Sequence, residues 1–151
     1  MAKFVLKVSE SEDELRQYNS VRREVFVHEQ GIFDEEDVDE HDAIALPIIG
    51  LDTDSERVVG AVRCYPLGNG DWMGGRLAVL PAFRGRLGVL LVRKAMEEVE
   101  RRGCRNFYAH IQEQNVKFFQ RLGWSLTGES SVFRDVVHYD MKVVFPEWTN
   151  N

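Results

Sequence analysis

Cysteine is scarce in this chain of 151 residues: Cys64 and Cys104 are the only two, and neither belongs to a Cys-x-x-Cys pair. That spacing excludes a disulfide framework and a thiolate metal site, so both thiols are expected reduced in the core and no metal is expected. Long apolar runs are missing too. No stretch approaches the ~18 residues of a membrane span, and the opening MAKFVLKVSE has no apolar leader segment. The expectation is a cytoplasmic protein that does not engage a membrane. Positive charge is not in excess, with 19 Lys and Arg against 25 Asp and Glu. This argues against nucleic acid, which is bound through many cationic contacts to phosphate. The Gly-Lys-Ser/Thr of a phosphate loop and the G-x-G-x-x-G of a dinucleotide site are both absent.

What is present is an ordinary globular composition, 44% hydrophobic and 29% charged, long enough for one domain with its own core. The net charge of −6 is concentrated: Asp34, Glu35, Glu36, Asp37, Asp39, Glu40 and Asp42 fall within nine residues with no Lys or Arg, and the remainder would carry +1. The run reads first as a solvated connection and second as a lure for a cationic amine.

Alternation over residues 3–9 predicts a strand. SEDELRQYNSVRREVFVHEQG predicts a helix capped by Ser11 with Glu14, turned inward through Leu15, Tyr18, Val21 and Val25, and stopped by Gly31. Three strands follow over 43–51, 57–67 and 72–80, joined by DTDSE and GNGD. A helix from about 87 to 102 presents Gly88, Val89, Val92, Ala95, Met96 and Val99 on one face. CRNFYAHI reads as a strand, and NVKFFQRLG as a short helix with Asn115 as N-cap and Gly123 as stop. WSLTGE and VFRDVVHYDMKVVF read as two closing strands. The order β-α-β-β-β-α-β-α-β-β predicts an α+β fold on a mixed, mostly antiparallel central sheet flanked by helices. Trp72, Trp124 and Trp148 are assigned to packing.

The segment PAFRGRLGVLL joins the fourth strand to the long helix. Gly85 and Gly88 allow a ligand close to the backbone, the helix start offers unpaired N–H groups, and Arg84 and Arg86 add forked donors suited to phosphate oxygens. The plain alternative is a glycine-containing turn with surface arginines.

The strand RLAVLP, the Arg/Gly turn, the helix, the next strand and a short helix ending FFQRLGW together resemble the GNAT superfamily of acyl-CoA-dependent N-acyltransferases, over about residues 3–145. VRREVFVHEQGIF with DEHD, and HYDM on the last strand, resemble a small bacterial subgroup carrying R-x-x-V-F-V-x-E-Q, D-E-x-D and H-x-x-M. The resemblance implies one acyltransferase domain over residues 1–151, with the sheet splayed between its fourth and fifth strands and acetyl-CoA or another acyl-CoA as co-substrate. It places the pyrophosphate at Arg84, Gly85, Arg86, Leu87, Gly88 and Val89, although Leu87 and Val89 stand where the family has glycine or alanine. Pantetheine would lie along Leu77, Ala78 and Val79, one of which supplies a backbone N–H to the oxyanion, with Asn115 and Phe119 on the other side. The acceptor would be the amine of a small molecule or peptide, near Arg22, Phe26 and Gln30. In this subgroup Asp39 and Asp42 anchor the downstream end of the acidic run. Homodimers are common in the family.

An aliphatic amine, with a pKa near ~10, must lose a proton before it attacks. Glu29, His138 and His110 are the candidate catalytic bases. Their plain readings are a surface glutamate paired with Arg22 and two hydrogen-bonded structural histidines. Phe119 occupies the position where many relatives carry a proton-donating tyrosine. That favours a non-catalytic coenzyme A-binding or interaction module as the alternative. Acyl-homoserine-lactone synthases, which share the fold and a related R-x-x-V-F opening, give a further one.

Overall fold

Ser11 starts the first helix as its spelling predicts, its Oγ accepting from the Glu14 N–H at 3.1 Å. Glu14 in turn accepts from the Glu10 N–H and pairs with Lys7 at 2.7 Å. The computed structural model describes residues 3–146, so Trp148 lies outside the described residues. Strand β1 (Phe4–Val8) leads into α1 (Glu12–Arg23), and the helix does not run unchanged to Gly31. Over Glu24–Glu29 it widens to a π-helix, in which the Gln30 N–H donates to the Val25 C=O five residues back at 2.9 Å. The wider turn shifts the phase of everything after it. Val25 and Phe26 both face inward, while Leu15, expected inside, is exposed.

Strands β2 (Leu46–Asp52), β3 (Arg57–Gly68) and β4 (Asp71–Val79) form a meander. Helix α2 (Arg86–Arg101) crosses to β5 (Asn106–Gln112), and α3 (Val116–Arg121), β6 (Ser125–Phe133) and β7 (Val136–Val144) complete the chain. The seven-stranded sheet runs β1-β2-β3-β4-β5-β7-β6, with β4 and β5 parallel and every other pair antiparallel. Ile48 and Ile49 are consecutive and fully buried, yet belong to different clusters, one under α2 and one under α1. Side chains alternate across a strand, so the two helices cover opposite faces. Gly60 makes the α2 contact close: a Cβ there would lie 2.8 Å from the side chains of both Leu87 and Leu91.

The closing hairpin differs from expectation. Its turn is Arg134–Asp135, both at positive φ (49° and 67°), with Phe133 paired to Val136, rather than near Ser130. This two-residue mirror turn matches strand twist but here uses no Gly or Asn, so it has no signal in the sequence. Cys64 and Cys104 are free and buried, and burial pushes both thiols up, Cys104 to about 12. Among the described residues no helix is long and apolar enough to cross a membrane.

Candidate functional site

Strands β4 and β5 pair only from Asp71↔Asn106 to Gly74↔Ala109. Beyond that point both continue without each other, leaving one edge of β4 open from Gly75 to Val79. On its other edge β4 carries a bulge: the register with β3 passes from Arg63↔Gly75 to Ala61↔Ala78, three steps on β4 against two on β3. The extra residue puts Arg76 in the left-handed region at φ +53°, where a non-glycine residue persists only if its surroundings hold it.

The surroundings are three arginines and three aspartates. Arg76 donates to the Asp37 C=O at 3.1 Å and to Asp39 at 3.2 Å, its guanidinium 4.5 Å from the centre of the Phe33 ring. Arg63 bonds Asp39 at 2.6 and 2.9 Å and Asp42 at 2.9 Å. Arg22 bonds Asp37 and Asp42, each at 2.6 Å, and the Tyr18 hydroxyl at 3.1 Å. Burial alone would raise the Asp39 carboxyl, but Arg63 and Arg76 outweigh it and hold that group at about 2; Asp42 is lowered in the same manner, chiefly by Arg22.

Two expectations are corrected here. Arg22 is 0% exposed and fully engaged, so it is a strut beneath the site rather than a substrate ligand. The acidic run is not a solvated connection throughout. Asp34, Glu35 and Glu36 are exposed, but Asp37 is 1% exposed, and with Asp39 and Asp42 it pins the segment to β3 and β4.

A cavity of about 540 Å³ fills the gap between β4 and β5 and is lined from both faces of the sheet, by Val92, Ala95 and Phe119 on one side and Phe26, Gln30 and Phe33 on the other. Leu77, His110, Asn115 and His138 also line it. The side chains of Ala78 and Val79 belong to the two cores, leaving only their backbone at the edge. Asn115 makes no capping bond, contrary to expectation. Phe119 is a buried wall, its ring edge-on to Trp124 at 5.3 Å.

His110 Nδ1 lies 2.7 Å from Asp140 Oδ1, and His138 Nδ1 lies 3.0 Å from the Val136 C=O. A carboxylate and a carbonyl only accept, so each ring carries its proton on Nδ1 and, when neutral, leaves Nε2 bare. Across the mouth Gln112 donates to Gln30 at 3.1 Å. Phe33 and Phe133 approach at 5.6 Å, and His41 stacks on Tyr65 at 4.4 Å. These four rim aromatics also line the cavity and were missed in the sequence, where single aromatics far apart look like any core residue.

At the start of α2, Gly85 has φ +108° and begins the helix without a side-chain cap. Arg86 is exposed, whereas the Leu87 side chain is fully buried, so only its backbone can meet a ligand; Gly88 and Val89 follow within the first turn. Arg84 folds back, donating to the Val79 C=O at 3.1 Å and pairing with Glu29 at 2.6 Å. The partner expected for Glu29 was Arg22, seven residues back on the same helical face. The π turn rotates Glu29 off that face and out of the cavity lining.

Residues 10–124 match the family model described as the Acetyltransferase (GNAT) family. Over 123 residues the chain is 30% identical to YjcF of Bacillus subtilis (strain 168), an uncharacterized N-acetyltransferase, covering 81% of this chain and 86% of that protein. The crystal structure of Escherichia coli ElaA superposes with a TM-score of 0.79 at 23% identity, covering 94% of this chain and 99% of the other. BjaI, a CoA-dependent acyl-homoserine lactone synthase solved with SAM and isopentyl-CoA, gives a TM-score of 0.75 at 20% identity, covering 95% and 83%. These two likenesses establish a common fold.

Proposed function

The chain belongs to the GNAT family of acetyltransferases, and on that premise we propose that it moves an acyl group from acetyl-CoA or another coenzyme A thioester to the amine of a small molecule or peptide. The observation that carries this reading is the gap where β4 and β5 part, a cavity lined by two imidazoles, His110 and His138, and reached on its other side by Val92 of α2, the helix with the glycine-led start. The residues fit such a donor. The open edge of β4 offers backbone groups to a pantetheine arm, and the N–H groups at Arg86–Val89, with the Arg86 side chain, suit a pyrophosphate.

The thioester supplies an activated carbonyl, and the chain supplies the rest. The bulge at Arg76–Leu77 withdraws backbone from the β3 ladder, making the Leu77 N–H the donor for the developing oxyanion. His110 sits one residue past the last β4–β5 pair, and Asp140 fixes its tautomer and orientation, so its Nε2 takes the amine proton. His138 lies two strand positions further out, opposite Gln112, and orients the amine. As the C–N bond forms and the C–S bond breaks, Phe119 can give no proton to the leaving thiolate, which takes one from water.

Titration of the purified protein with acetyl-CoA by calorimetry, beside Gly88→Asp, tests the reading. A Cβ at Gly88 would meet only the Phe118 ring at 3.7 Å, so the variant should fold while placing a carboxylate among the phosphates. The expected result is saturable binding weakened at least about tenfold in the variant, about 1.4 kcal/mol. Equal affinities would remove the pyrophosphate from this loop, and no binding to wild type would overturn the acyltransferase reading.

A further inference from the structure

Part of the cavity lies beyond what a donor's pantetheine arm needs. Ala95 is ten residues after Gly85, roughly 15 Å along the helix. Because β4 and β5 are parallel, α2 between them runs back along β4. At roughly 3.3 Å per strand residue, that rise brings Ala95 level with Gly74 or Gly75, where the strands part. Around that level Val92, Ala95, Phe107, Phe119 and Trp124 line the cavity, and all are buried. Behind the point where the thioester would sit there is therefore an apolar chamber. One polar group interrupts this apolar lining. The Trp124 indole N–H is buried without an acceptor among the described residues, an exception in packed interiors. Gly74 lets the Phe107 ring pack directly on the β4 backbone at that level: a Cβ there would fall 2.9 Å from the ring.

We propose, resting on the acyltransferase reading above, that the transferred group is longer than acetyl: a linear aliphatic acyl chain of roughly four to eight carbons, in the apolar end of a cavity of about 540 Å³ that the pantetheine arm and the acceptor also share. The chain leaves the thioester near Gly74 and lies between α2 and Trp124, while the amine approaches from the opposite face past His110 and His138. Acetyl would leave the chamber unfilled and its walls without contacts.

The test is a calorimetric series with free CoA and acetyl-, butyryl-, hexanoyl- and octanoyl-CoA, on wild type and on Ala95→Phe, which fills the chamber. Each methylene that enters should tighten binding about three- to fourfold, so hexanoyl-CoA should bind at least about tenfold tighter than acetyl-CoA. In Ala95→Phe that gain should vanish, with acetyl-CoA affinity kept within about twofold. Equal affinities from acetyl to octanoyl would overturn the proposal and leave the donor reading intact. A chain-length preference surviving in a folded Ala95→Phe protein would also overturn it, because the chain would then lie elsewhere. Failure of wild type to bind CoA or any thioester would remove the donor site itself, and this inference with it. Should Ala95→Phe not fold by circular dichroism, Ala95→Leu takes its place, with a smaller loss of the gain expected for the longest chain.

Discussion

One wall of the cleft, where the segment 31–42 lies on β3 and β4, keeps Arg22, Arg63 and Arg76 in contact with Asp37, Asp39 and Asp42. The opposite wall, made of β5, β7 and β6, has a His110–Asp140 pair and ends in a strand exposed along its whole length. The difference matches what each wall must do. The first supports Arg76 in a conformation it would not adopt unaided, and so fixes the bulge beside the open edge of β4. Buried charges held by several partners permit few alternative arrangements. In the proposed reaction the second faces the acceptor amine, and its outer strand β6 is not packed against any further layer among the described residues. The Gln112–Gln30 bond and the Phe33–Phe133 contact join the walls at the rim.

The comparison breaks most readily at Arg22. Arg22→Ala leaves Asp37 and Asp42 charged with fewer partners, and urea unfolding should register a loss of about 3–5 kcal/mol. On the other wall, Leu126→Ser on β6 should change stability by less than about 0.5 kcal/mol. Similar losses from the two would mean the walls do not differ. The second wall should matter in catalysis instead. His110→Gln should lower kcat by at least about 10²-fold with KM little changed. Asp140→Asn should act in the same direction and less, and His138→Gln should appear mainly as a raised KM. Steady-state kinetics with any accepted amine would check all three.

Acid sharpens the contrast. Asp39, held at about 2 against an ordinary 3.8, and Asp42, also lowered, bind protons less readily folded than unfolded. Their contribution to stability is therefore complete above the unfolded value and is lost as pH falls toward about 2. Glu98 on α2 is also held at about 2: burial opposes its charge, but Arg102 and Arg101 outweigh burial. Urea midpoints should thus drop steeply between about pH 4 and 2, and in Asp39→Asn less steeply but not flatly, since Asp42 and Glu98 still contribute. An unchanged slope in that variant would mean the first wall is not held by charge.

Element order was legible because hydrophobic period and glycine stops are local. The start of the long helix, expected at about 87 and found at Arg86, was legible for the same reason. What escaped the sequence is non-local or written in backbone. A π turn has no spelling, so Glu29 was placed on the face of Arg22. Asp37 joins arginines from α1 and β4, a partnership that a run of acidic letters does not announce. The Arg134–Asp135 turn uses positive φ without glycine. The gap between β4 and β5 is an absence of pairing with no spelling of its own; it was expected through the family resemblance, and the pairing that ends at Gly74↔Ala109 bears that expectation out.

The smallest expected effect concerns the contact that joins two candidates from the sequence. Glu29 and Arg84 pair at 2.6 Å with side chains 34% and 46% exposed, so Glu29→Gln should cost only about 0.2–1 kcal/mol in stability. Its consequence for binding is more informative. While Glu29 is charged, a pyrophosphate at the loop must compete with it for the Arg84 guanidinium, and the neutral amide removes that competition. Acetyl-CoA should therefore bind Glu29→Gln equally well or a few-fold tighter, with the largest gain at low ionic strength, where exposed charges are least screened. Turnover should remain within about tenfold of wild type, since His110 rather than Glu29 accepts the proton in the arrangement above. A fall of 10²-fold or more in kcat with acetyl-CoA binding intact would move the base to Glu29 and make the Arg84 pair the device that holds it in place.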